Sequence, residues 1–171
     1  MQKRARLLVL AIIVVAVTAV FLSKPPIPQA PSYHDFADQR TFLSVPNFLN
    51  VISNLPFLFV GIWGLVAVTE PRSSGSFLTR SERWPYAVFF LGVALTFLGS
   101  SYYHLHPTNA RLVWDRLPMT LGFMGILSAT IAERISVKAG VVLLPALVLA
   151  GVLTVGYWHC CPVNLQGVGC K

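Results

Sequence analysis

Charge is scarce in this 171-residue chain. Asp, Glu, Lys and Arg together make up 11% of it, against roughly 25% in an ordinary soluble domain. So little charge excludes a conventional water-solvated surface. Cysteine is absent from the first 159 residues: Cys160, Cys161 and Cys170 all fall in the tail, with no C-x-x-C spacing. That excludes a cysteine-built metal clamp in the body of the protein, and a vicinal pair is both a poor clamp and a strained disulfide. No basic stripe exists either. The net charge is +7, but the Lys and Arg residues are scattered over short connections, which argues against nucleic acid as a partner.

What the chain has instead is apolar length. Hydrophobic residues make up 55% and the mean hydropathy is +0.67. Five apolar runs follow one another: Leu7 to Leu22, Pro46 to Thr69, Trp84 to Tyr103, Asp115 to Ala132 and Ala139 to Trp158. About 20 helical residues cross the ~30 Å hydrocarbon core. The reading is therefore all-α: a polytopic membrane helical bundle of about five transmembrane helices. The first run, behind Lys3, Arg4 and Arg6, is short for a span and lacks a clean small-x-small cleavage site, which favours an uncleaved anchor over a signal peptide. Residues 1–32 form this segment and a proline-punctuated loop, residues 33–158 the membrane domain, and residues 159–171 a tail of different character.

Orientation follows from the basic residues. The N-terminal segment and the connectors at 71–83 and 133–138 hold eight Lys and Arg, and the opposite side holds five. The excess predicts a cytoplasmic N-terminus and an external C-terminus.

Against this background a few polar side chains stand out. Ser100 and His104, at i and i+4, share one face of a helix end, and Asp115 opens the next apolar run eleven residues later. A hairpin returns Asp115 to the depth of His104, near the outer face. Ionisable groups at that depth are costly without partners, so a hydroxyl, an imidazole and a carboxylate together point to a metal-and-hydroxyl site. Asn47, Asn50 and Asn54, at i, i+3 and i+7 with Ser53 beside them, place a polar face at the same end of the second span. Interhelical hydrogen bonding is the alternative reading of these amides. Gly61, Gly64, Gly92 and Gly99 suit close helix packing, Trp84, Trp114, Tyr157 and Trp158 an interfacial aromatic belt, and His106 a cap before Pro107.

Three segments together resemble the alkaline ceramidase family, within the superfamily of seven-helix membrane hydrolases that includes the progestin and adiponectin receptors. Asn50-Val51-Ile52-Ser53-Asn54 is similar to its N-T-x-S-N element, Gly99-Ser100-Ser101-Tyr102-Tyr103-His104 to its G-S-x-x-F-H, and Asp115-Arg116-Leu117-Pro118-Met119 to its D-E-L-P-M. The resemblance covers about residues 33–158. It implies a zinc-dependent amidase acting on ceramide-type lipids, with His104 and Asp115 as zinc ligands and Ser100 assisting at the oxyanion. It also implies a calcium or polar neighbourhood drawn from Asp35, Asp38, Asn47, Asn50, Ser53 and Asn54. The implied partners are membrane lipids and a ceramide-like substrate that enters sideways from the bilayer. The chain departs from the family in two ways. It contains no H-x-x-x-H, the family's source of two further zinc ligands, its remaining histidines being His34, His106 and His159. Four core helices stand where the family has seven, so the resemblance implies an incomplete site.

Overall fold

The computed structural model describes residues 2–23, 29–70, 77 and 79–160. Within these the chain forms six α-helices: α1 (Gln2–Leu22), α2 (Phe48–Ile52), α3 (Leu55–Thr69), α4 (Arg83–Leu105), α5 (Asn109–Arg134) and α6 (Val137–Cys160). Short 3-10 turns lie at Pro31–His34 and Arg80–Glu82. No strand occurs among the described residues beyond one isolated bridge, Phe42 to Val45. The fold class is all-α. Helical segments 48–69, 80–105 and 137–160 are long and apolar enough to cross a membrane. The expected features at Lys24, Pro25, Pro26, Pro28, Arg72, Cys161, Cys170 and Lys171 lie outside the described residues, as does most of the tail.

α4 packs against α3 on one side and against α5 on the other, and α5 in turn packs against α6. The short links at 106–108 and 135–136 make successive helices antiparallel neighbours. Many of the buried positions are small: Gly61 and Gly64 on α3, Ala87, Gly92 and Ala94 on α4, Gly122, Gly125, Ser128 and Ala129 on α5, with Tyr103, Leu112, Ile131 and Leu144 among the larger buried side chains. Large apolar side chains such as Phe59, Trp63, Phe123 and Leu149 point outward. That is the pattern of helices in lipid, where close backbone approach supplies the packing and the apolar surface faces hydrocarbon. Among the described side chains of α1, Leu8, Val9 and residues 11–20 are exposed, and none of them joins the buried core.

Two helix boundaries differ from those expected. The Pro46 to Thr69 run is two helices, broken at Ser53-Asn54. Pro56, in the first turn of α3, has no N–H to continue the ladder from α2. α5 begins at Asn109 instead of Asp115, with Thr108 as its cap: the Thr108 hydroxyl accepts from the Arg111 N–H at 3.3 Å. Pro118 is therefore interior to α5, and the Trp114 carbonyl four residues earlier loses its helical donor. Gly99 of α4 lies directly against that carbonyl, because a Cβ at this position would sit 2.0 Å from the Trp114 oxygen. About two turns deeper, Gly92 meets the Gly122 backbone in the same way. The α4–α5 seam is thus closed by glycines immediately beside Ser100 and Asp115. At the opposite end the fully buried Ser128 hydroxyl donates to the Gly140 carbonyl at 2.9 Å, joining α5 to α6.

Candidate functional site at one end of the bundle

The C-terminal end of α4, the N-terminal ends of α3 and α5 and the loop before α2 meet at one end of the bundle. Ser100 is buried on α4, next to the Gly99 that meets α5, and His104 lies one turn further out. The His104 Nδ1 is shielded from solvent and has no hydrogen-bond partner among the described residues. The Asp115 carboxylate, on the second turn of α5, acts electrostatically on both His104 and Tyr103. Above the imidazole lies the Phe36 ring, with centroids 4.6 Å apart. The result is a shielded imidazole nitrogen without a hydrogen-bond partner, under the field of a carboxylate and an aromatic cover.

The asparagines serve the backbone. Asn47 Nδ2 donates to the His104 carbonyl at 2.8 Å, tying the loop before α2 to the last turn of α4. Asn50 Nδ2 donates to the Asp38 carbonyl at 2.9 Å, and the Asn50 carbonyl accepts from Ser53 Oγ at 3.0 Å and Asn54 Nδ2 at 2.9 Å. The three amides do not share one helical face as their spacing suggested. Asn47 lies before α2 with a left-handed backbone (φ 49°), and Asn54 occupies the α2–α3 break. Asp38 is similarly committed: Oδ1 accepts from Arg40 Nε at 2.5 Å and Oδ2 from the Leu49 N–H at 3.0 Å. The bond from Arg40, together with the Leu49 N–H, holds the Asp38 carboxyl below its ordinary value against an opposing effect of desolvation. Asp35 is exposed at the end of the 3-10 turn.

A histidine to which the spacing assigned no role completes the cap. The His34 ring spans two elements, with Nδ1 2.9 Å from the Tyr103 hydroxyl and Nε2 2.9 Å from Asn109 Oδ1. With Asn109 Oδ1 accepting from Nε2–H, Nδ1 of the neutral ring accepts from the buried Tyr103 hydroxyl. The only sequence signal was the aromatic-polar cluster Tyr33-His34-Asp35-Phe36 inside a proline-rich loop, and such a cluster has no periodicity to read. His106 is the C-cap residue of α4 and is exposed. Arg116 stacks over Trp158 at 4.0 Å and donates to Gln29 Oε1 at 3.0 Å, which brings the end of α6 to the same rim.

No group of three His, Cys, Asp or Glu side chains converges to hold a metal ion among the described residues. Zinc sites take three or four protein ligands, and His104 with Asp115 supplies two. The described residues therefore do not by themselves fit zinc, and the committed Asp38 and Asn47 side chains do not assemble a calcium cage. An apolar cavity of about 480 Å³ does open beside Gly99, lined by Leu95, Leu98, Trp114, Leu117, Pro118 and Val152. No protein-family model matches the sequence, and neither curated proteins nor solved structures give a match.

Proposed function

We propose that this chain is a ceramidase-like membrane protein, built toward hydrolysis of the amide bond of ceramide-type lipids and carrying part of the hydrolytic site. The observation that carries the reading is the unpartnered, shielded Nδ1 of His104 at the end of α4, with the Asp115 carboxylate within electrostatic reach and the buried Ser100 one turn earlier. An imidazole nitrogen in such surroundings normally finds a partner, and a Nδ1 left without one is a position where a metal or a substrate group can bind. A zinc ion completed by donors from elsewhere would supply an activated water. No step is assigned to a metal held by these two residues alone. The apolar cavity beside Gly99 suits a lipid chain reaching the site from the side of the bundle.

In this reading the chain crosses the bilayer five times, with α1 and α5 joining the three apolar spans. The charges of α5 lie toward its ends: Arg111, Asp115 and Arg116 at one, Glu133 and Arg134 at the other. The N-terminus is cytoplasmic and the site lies at the outer face.

A second reading, a non-catalytic scaffold, draws on the amides of Asn47, Asn50 and Asn54, which all bond backbone carbonyls and so act as structural glue. Fatty-acid release from a ceramide by the purified chain at saturating zinc separates the two. Slow, zinc-dependent release that disappears in His104→Ala supports the hydrolase. Release indifferent to His104, or zinc binding by the purified chain that is unchanged in His104→Ala, supports the scaffold.

A further inference from the structure

The segment before α2 folds into a two-residue β-hairpin. Phe42 N–H donates to the Val45 carbonyl at 3.1 Å and Val45 N–H to the Phe42 carbonyl at 2.9 Å. Its two central residues, Leu43 and Ser44, both have positive φ, 49° and 63°. Such turns favour Asn and Gly, because a side chain crowds the left-handed backbone. Leucine is a poor choice for that conformation, and in water it is also a poor choice for the tip: Leu43 is 78% exposed and Phe42 55% exposed. The hairpin is nevertheless firmly built. The Phe42 ring packs edge-on against Phe48 at 5.0 Å, and the Phe48 N–H donates to the Arg40 carbonyl.

The apolar surface does not end at the tip. Leu49 and Ile52, at i and i+3 on α2, are exposed, followed by Phe57, Phe59 and Val60 on α3. The outward face of α3 is the face a membrane-spanning helix presents to hydrocarbon, and Leu49, Ile52, Phe42 and Leu43 carry exposed apolar surface on past the helix end to the hairpin tip. We propose that the Phe42–Val45 hairpin is an interfacial lipid-binding element, with Phe42 and Leu43 inserted at the headgroup–acyl boundary of the leaflet on the side of His104. This surface goes beyond the hydrolase reading and holds under the scaffold reading equally. It rests only on α3 crossing the bilayer. Insertion accounts for both anomalies at once, since an apolar tip in lipid repays the burial that an exposed tip in water forgoes.

The test uses the full chain with its cysteines replaced by serine, carrying single cysteines labelled with an environment-sensitive fluorophore, in phosphatidylcholine nanodiscs with or without spin-labelled lipid. The labelled sites are Leu43→Cys, Ser32→Cys on the exposed 3-10 turn, and Ile62→Cys on the outward face of α3. Leu43 is exposed, so its replacement removes no packing. The expected result is quenching at position 43 by a spin label near the top of the acyl chain, at least twofold stronger than at position 32. Quenching at 62 with position 43 no different from 32 overturns the hairpin proposal alone. Absence of quenching at 62 overturns the spanning of α3 and the hairpin proposal with it.

Discussion

Replacing Gly99 by alanine places a methyl group 2.0 Å from the Trp114 carbonyl oxygen, where ordinary contact begins at 3.4 Å. The shortfall is 1.4 Å, and the obstacle is backbone, which cannot rotate away. The carbonyl is exposed to this contact because Pro118 offers it no N–H. α4 and α5 must therefore part at the level of Ser100 and Asp115. Overpacking of this kind costs up to about 3 kcal/mol, offset by ~1 kcal/mol of helix propensity gained from alanine. A net loss of ~2 kcal/mol lowers the midpoint by roughly 4–8 °C in a chain of this size. The assay is thermal unfolding of the purified protein in detergent, followed by intrinsic fluorescence. Gly156→Ala is the control, because nothing lies within 4 Å of a Cβ there; the same propensity gain should leave its midpoint unchanged or raised. Equal midpoints for Gly99→Ala and Gly156→Ala would refute the claim that glycine closes the seam beside the site.

Ser128→Ala removes the buried hydroxyl that donates to the Gly140 carbonyl and should cost ~0.6 kcal/mol, a midpoint shift of about 1–3 °C in the same assay. Asn47→Gly keeps an easy left-handed backbone but loses the bond to the His104 carbonyl, while Asn47→Ala loses both; stability should fall in the order native, glycine, alanine. Asp38, whose carboxyl is lower in the folded chain than when unfolded, contributes its full stability above about pH 4 and loses it as the pH falls through its depressed value. Acid should therefore lower the protection of the Leu49 amide relative to its intrinsic exchange rate at each pH, and Asp38→Asn should flatten that dependence.

The helical class was legible because composition alone demands it, and the ends of α4 and α6 followed from where apolar runs stop. The start of α5 was not legible. Asn109 to Trp114 carries Arg111 and so fails a search for apolar length, although Thr108 with a following helical turn is an ordinary capping signal. The break between α2 and α3 was written in Pro56, yet the surrounding hydrophobic run concealed it. Of the site, the Ser100–His104 pair was readable because its spacing is a property of one helix, and the placement of Asp115 needed only a hairpin. His34 was unreadable for the opposite reason: its partners Tyr103 and Asn109 lie 69 and 75 residues away and reach it only through the packing of an aperiodic loop. The asparagines were legible as polar glue but not in their geometry, since Asn47 and Asn54 sit where the helix is interrupted.

Titration of the purified chain with zinc, in the native form and in His104→Ala and Asp115→Asn, tests the central claim most directly. Two protein donors predict one weak binding event that loses at least tenfold in affinity when either residue is replaced. Affinity unchanged in both variants would contradict the assignment of His104 and Asp115 as the core of the site.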